Sequence, residues 1–419
     1  MIKRLWVVAA TLVFLNAWSF GLFAQALSNG DPGALGLSAE RLRTLDAAIQ
    51  RFVDEKQHAG VIWLVVRRGK IVDFNARGLR DIASKQPMEK DTICRVYSMS
   101  KIITSVAALS LLEEGRFNLD DPVSRFLPEF QKMQVMTGGT ADAPLLTTAR
   151  RPITIRHLFT HTSGLYYDFV DDPALVQIFR RVKPADAPTL EEFVKRAASL
   201  PLKHQPGEAF TYGINTDILG CLIEVVSGQP LETFMRQRIL EPLGMTDTSF
   251  DVAPEKMSRL AKTYNQKDGK LVEAEPVFAT WPEGGRGPAF GGAGIFSTAA
   301  DYARLAQMLL NGGVFDGRRI LGRKTVEFMT ANHLSHLPGG NTAARHLGFG
   351  LGVSVLIDLG QSPAPGSLGA FGWTGAATTL CQIDPKEQMV LLVFAQHFPY
   401  NEHRLFERFL TCAYQALVD

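Results

Sequence analysis

An excess of positive charge is missing from this chain. Lys and Arg total 44 against 42 Asp and Glu, a net charge of +2. No basic run and no glycine-rich phosphate loop after a strand occurs, so the electrostatic footprint of a nucleic-acid-binding face is absent. Cysteine is scarce: Cys94, Cys221, Cys381 and Cys412 are widely spaced, with no C-x-x-C pair. That spacing argues against zinc. An exported chain could pair these thiols, but spacing leaves the connectivity open; Cys94 and Cys221 sit in apolar runs and read as core residues. Zinc-protease spacing fails too, because His157 and His161 are four apart but no glutamate follows His157. His333 and His336 lie in a polar, glycine-flanked loop and read as surface residues. No serine sits in a G-x-S-x-G elbow, and no internal repeat is present.

What remains is an ordinary globular composition over 419 residues, 46% hydrophobic and 21% charged, long enough for a large core. The N-terminus stands apart. Lys3 and Arg4 precede an apolar stretch over 5–15, and Ala24-Gln25-Ala26 offers small residues for cleavage. This reads as a signal peptide over 1–26, cleaved after Ala26, in preference to an uncleaved anchor, because the apolar stretch is short. The expected location is periplasmic or secreted, with no membrane association after cleavage.

Ser38 caps a helix carrying Leu42, Leu45, Ile49 and Phe52 on one face. Residues 61–66 read as a strand, turned at Arg68-Gly69-Lys70 into a second at 71–74. Asp120 and Asp121 read as helix caps rather than a paired acid and base. The middle is mainly helical, with helices expected over 190–198 and 217–226, the latter ended by Gly228, and one opened by Pro230. Thr298 caps another over 302–310. Strands return at 348–357 and in a hairpin over 378–395, and an amphipathic helix over 404–417 closes the chain. Residues 137–152 and 275–290 read as long loops.

Ser98-Met99-Ser100-Lys101 carries the chemistry. Ser98 is the only serine with a lysine three residues downstream. At a helix start that spacing puts both side chains on one face. Serine needs an adjacent base to become a nucleophile, and a desolvated lysine can serve. The helix N-terminus adds N–H groups that favour an oxyanion.

Around this pair, five stretches occur in order: Tyr97-Ser98-Met99-Ser100-Lys101, Leu158-Phe159-Thr160-His161-Thr162-Ser163-Gly164-Leu165, Tyr212 after Pro206-Gly207, Gly291-Gly292-Ala293-Gly294-Ile295-Phe296-Ser297-Thr298, and Gly372-Trp373-Thr374-Gly375-Ala376-Ala377. Together they resemble the serine β-lactamase-related family, nearest to the esterases related to class C β-lactamases called family VIII carboxylesterases. The resemblance implies an α+β, β-lactamase/transpeptidase-like fold: an antiparallel sheet from the N- and C-terminal segments flanked by helices, with an inserted mainly helical lobe. The expected division is a sheet lobe at about 27–92 and 291–419 and a helical lobe at about 93–290, within one hydrolase domain over 27–419.

It also implies Tyr212 as a second base and acid, and the N–H groups of Ser98 and Ala376 as an oxyanion hole. Trp373, Thr374 and Gly375 occupy the slot that is usually Lys-Thr-Gly in lactamases. Tryptophan lacks the charge that holds an anionic substrate and offers an apolar face instead. The family's Tyr-x-Asn is altered, since Asn215 comes one place late behind Ile214; some esterases of the group carry a later aspartate resembling Asp217. His161 and Ser163 read as scaffold residues shaping a turn below the cleft. The expectation is an exported serine hydrolase cleaving carboxylic esters through an acyl-enzyme on Ser98, with Lys101 and Tyr212 as general base and acid, and no metal or organic cofactor. Its partner is a small-molecule ester or β-lactam-like substrate. The alternatives are a β-lactamase or D-amino-acid peptidase, an acyltransferase, and a non-catalytic sensor.

Overall fold

The computed structural model describes residues 27–275, 287–337, 342 and 344–419. The segment read as a signal peptide, 1–26, lies outside them, as do residues 276–286 of the loop expected over 275–290.

Among the described residues, eight strands form one antiparallel sheet. In chain order they are β1 (Gly60–Arg67), β2 (Lys70–Asp81), β3 (Gln86–Pro87), β4 (Leu347–Phe349), β5 (Ser354–Leu356), β6 (Phe371–Gly375), β7 (Thr379–Asp384) and β8 (Met389–Ala395). Their spatial order is 4-5-6-7-8-1-2-3, so the two ends of the chain meet where β1 pairs with β8, Val61 opposite Ala395 and Arg67 opposite Met389.

β1 is apolar at nearly every position because both its faces are covered. Val61, Trp63 and Val65 pack with α1 (Ala39–Asp54) and the closing helix, while Ile62, Leu64 and Val66 join the larger core on the other face. β8 alternates in the same way, with Leu391 and Val393 on the first face and Leu392 and Phe394 on the second. A strand buried on both sides loses the polar alternation of a half-exposed one. Two further helices fill the second face: α2 (Ser100–Glu113), buried from Ser100 to Leu111, and α4 (Ala299–Leu310). Between them, α3 (Asn215–Ser227) packs on α2. The closing helix is α5 (Leu405–Tyr414), which packs on α1.

The expected caps are present. Ser38 Oγ accepts the Arg41 N–H and Thr298 Oγ1 that of Asp301, and Gly228 ends α3 at a φ of +71°. Other expectations need correcting. Residues 137–152 are not an open loop, since Gln134–Gly139 pairs with Pro144–Thr148 in a hairpin. Its turn closes where Thr140 N–H donates to the Ala143 carbonyl. The strand expected over 348–357 is two short ones, β4 and β5, because Gly350 and Gly352 turn the chain back. Gly350 N–H donates to the Val353 carbonyl, and Gly352 sits at a φ of +85°. Asp120 and Asp121 cap no helix: Asp120 pairs with Arg156, and Asp121 accepts from Asn118 N–H and Arg125. The four cysteines are all buried free thiols.

Candidate active site

Ser98 sits in a single 3₁₀ turn, Tyr97–Met99, just ahead of α2 rather than at its capping position. The turn is set by its approach. Cys94 and Arg95 pair with Ser297 and Phe296, and Val96 N–H donates to the Ile295 carbonyl. Tyr97 then adopts a left-handed φ of +43°, a costly conformation for a side chain of this size. Packing holds it there: Tyr97 is fully buried, with its ring 5.7 Å from that of Phe398. Two hydrogen bonds pin the following residues. Tyr302 Oη donates to the Met99 carbonyl at 2.8 Å, and Ser100 Oγ accepts the Ile295 N–H at 3.1 Å.

Lys101, one turn later, is fully buried. Its Nζ lies 2.8 Å from the Gly292 carbonyl, 3.2 Å from Tyr167 Oη and 3.3 Å from Ser98 Oγ. Gly292 O can only accept. Tyr167 Oη gives its own proton to Asp217 Oδ2 at 3.3 Å and so also accepts from Lys101. A neutral amine has two protons to give and one lone pair to fill. As an ammonium Lys101 donates to all three oxygens; once it has lost a proton, donations to Gly292 and Tyr167 can persist while the lone pair faces the Ser98 hydroxyl, the arrangement a general base needs.

The circuit closes on Asp217, whose Oδ1 accepts the Gly292 N–H at 2.8 Å. Burial raises the Asp217 carboxyl above the usual range, against the pull of Lys101. Burial, the charge of Asp217 and Tyr212 push the Tyr167 phenol well above its ordinary value, so it stays protonated. Gly292 has to be glycine here: a Cβ would stand 2.6 Å from the Asp217 carboxylate. Sequence reasoning missed Tyr167. The only signal was the aromatic pair Tyr166-Tyr167 directly after the Leu158–Leu165 stretch.

Tyr212 is half-buried beside this circuit, with its ring centroid 4.7 Å from Lys101 Nζ. Its Oη accepts the indole N–H of Trp373 at 3.2 Å. His161 props it from below, ring against ring at 4.8 Å. Burial and the Lys101 charge hold the His161 imidazole well below its usual range. Its Nδ1 lies 3.3 Å from Gly213 N and 3.0 Å from Asn215 Nδ2, so Nδ1 accepts and the ring is neutral. Asn215 therefore works through His161, and its Oδ1 takes the Ser163 hydroxyl. These residues make a turn beneath the cleft, as expected of His161 and Ser163.

β6 forms the opposite wall. Trp373, Thr374 and Ala376 are half-buried, and Gly375 lies against the segment leading to Ser98. A Cβ on Gly375 would meet the Val96 carbonyl at 2.3 Å, backbone that cannot step aside. Gly375→Ala must push β6 away from the Ser98 turn. The expected result is a kcat lower by about 10²-fold, the size of effect of a small misplacement of reacting groups, with KM changed far less. Steady-state kinetics checks it, and an unchanged kcat would show that strand and turn move independently.

Ser98, Tyr212, Trp373, Thr374, Gly375 and Ala376 line one cavity of about 600 Å³. Phe169, Phe210, Phe398 and Tyr400 add aromatic walls, and among the described residues no charged side chain lines it. The structure thus gathers every residue expected at the site, with Lys101 buried behind Ser98.

Comparison with known proteins agrees with this geometry. The Beta-lactamase family model matches residues 45–411. Protein Rv1367c of Mycobacterium tuberculosis (strain H37Rv) is 35% identical over 368 residues, covering 84% of this chain and 89% of its own. Esterase EstB of Burkholderia gladioli is 31% identical over 369 residues, covering 82% and 88%. Among solved structures, EstCE1, described as a hydrolase with promiscuous acyltransferase activity, superposes with a TM-score of 0.76 at 27% identity, over 89% of this chain and 98% of its own. Sequence, fold and the serine–lysine geometry coincide, and the chain belongs to the beta-lactamase family, as an enzyme of the serine hydrolase type.

Proposed function

We propose that this protein is an exported carboxylic-ester hydrolase working through an acyl-enzyme on Ser98. The observation that carries the reading is the cavity itself, aromatic and free of charged side chains among the described residues. A neutral acyl group gains by leaving water for such walls, whereas an anionic substrate would leave its carboxylate without a partner. Trp373, in place of a lysine, is part of that wall.

Lys101 takes the proton as Ser98 Oγ attacks the ester carbonyl. The oxyanion is received by the N–H groups of Ser98 and Ala376. Tyr212 accepts the Trp373 indole N–H, which leaves its own proton to give to the departing alcohol. Tyr167 is unsuited to that step, because its proton is committed to Asp217. Water then attacks the acyl-enzyme by the reverse path, releasing the acid and restoring Ser98. The charged start at Lys3-Arg4, the apolar 5–15 and the small residues at 24–26 support export.

A second reading is acyl transfer, in which an alcohol replaces water. The apolar walls favour it, and EstCE1 carries that description. One panel tests both: a short-chain nitrophenyl ester, a chromogenic cephalosporin, and the ester with an added alcohol. The expected kcat/KM is higher for the ester. A cephalosporin turned over with much the higher kcat/KM would overturn the esterase reading, and new ester product with added alcohol would establish transfer.

A further inference from the structure

Residues 397–403 follow β8 and serve two places at once. Phe398 and Tyr400 line the active-site cavity. His397 and His403 instead meet His58, from the connection between α1 and β1, in a cluster away from Ser98. The ring centroids are 4.7 Å apart for His58 and His397, 5.6 Å for His58 and His403, and 5.3 Å for His397 and His403. Glu402 joins them, its Oε2 3.2 Å from His397 Nε2 and 3.8 Å from His403 Nε2. One ligating atom each from His397, Glu402 and His403 fall within 4.8 Å of one another.

The hydrogen-bond balance of this cluster is poor. His58 is 1% exposed, yet neither of its ring nitrogens has a hydrogen-bond partner. His397 Nδ1 and His403 Nε2 are buried without one as well. Buried polar atoms are normally satisfied, and orphan nitrogens on three neighbouring rings call for an occupant.

We infer that His397, His403 and Glu402 form a structural site for a divalent transition metal of the zinc type, with His58 packed against both imidazoles. Two imidazoles and a carboxylate, leaving a position for water, suit Zn²⁺ or Co²⁺, and not Ca²⁺ or Mg²⁺, which take oxygen ligands. Entry is open, since Glu402 is exposed and His403 borders a groove of about 570 Å³ with Arg51, Phe52 and Glu407. The ion braces the segment that walls the cavity, on which His58, just after α1, packs ring against ring. It also bears on the turn holding Ala376, because His397 N–H donates to the Ala377 carbonyl and its own carbonyl accepts from Thr378 Oγ1 at 3.0 Å. The site does not depend on the chemistry assigned to Ser98.

The test titrates untagged, chelator-stripped protein with Co²⁺. The expected result is a visible absorption spectrum saturating at about one ion per chain, displaced by Zn²⁺, with a Zn²⁺-dependent rise in Tm. Glu402→Gln and His403→Asn, both at the rim, should keep the metal-free Tm and weaken Co²⁺ binding by at least about 10-fold, the least that loss of even an outer-shell partner costs. The double variant His333→Asn/His336→Asn should bind as the parent does. No saturable spectrum, full binding by both rim variants, or loss of binding in the control pair would each overturn the site.

Discussion

Ser98→Ala should abolish labelling by a fluorophosphonate probe and lower ester turnover by about 10⁴-fold or more, the scale on which loss of an activated serine nucleophile is felt. Stability should barely change. Ser98 is half-buried at the cavity, and its side chain gives up one contact, to Lys101. A hydrogen bond of that kind is worth about 1 kcal/mol. The turn keeps its other anchors, Tyr302 on the Met99 carbonyl and Ser100 on Ile295. Probe labelling with thermal denaturation on the same samples decides the matter. Labelling that survives in the variant would place the nucleophile elsewhere, and no labelling of the folded parent would favour a binding protein.

Lys101→Met keeps the length of the side chain and removes the base. Turnover should fall by about 10²–10⁴-fold, the range a positioned general base supplies. Normal turnover would remove the amine from the mechanism. This variant also tests the circuit behind the serine. Asp217 has its carboxyl raised by burial and drawn down by Lys101. Without the amine it rises further. A carboxyl whose folded pKa lies above its unfolded value stabilises the fold while protonated, and that stability is lost as pH climbs through the folded pKa. The Tm deficit of Lys101→Met against the parent should therefore be larger at pH 8 than at pH 5. Adding Asp217→Asn should shrink the deficit at pH 8 and restore no activity. An equal deficit at both pH values would break the link between the two groups.

How far the sequence could be read follows the range of each interaction. The Ser98–Lys101 pairing, the Ser38 and Thr298 caps and the Gly228 helix end are set within a few residues. Helical spacing and cap chemistry suffice for them. The doubly buried β1 was equally plain, because covering both faces leaves an unbroken apolar run. The hairpin at Gln134–Gly139 and Pro144–Thr148 escaped notice, since Leu145 and Leu146 are exposed and the pairing lacks an apolar alternation. Splitting of 348–357 turned on Gly350 and Gly352, which a run of apolar residues conceals.

Tyr167, Tyr212 and Trp373 mark the limit. All three are aromatic residues near motif positions, and nothing local says that Tyr167 meets the lysine while Tyr212 meets the indole. Those contacts join residues 66 and 161 positions apart. The histidine cluster is more distant still, drawing on His58 and on His397 and His403 across the seam between β1 and β8. Nucleophile, base and strand burial were legible from the order of residues, because short-range geometry repeats wherever the same spacing occurs. Which phenol serves which partner, the absence of charge from the described cavity walls, and the meeting of three imidazoles came from sheet register and helix packing, which bring together atoms that no local pattern connects.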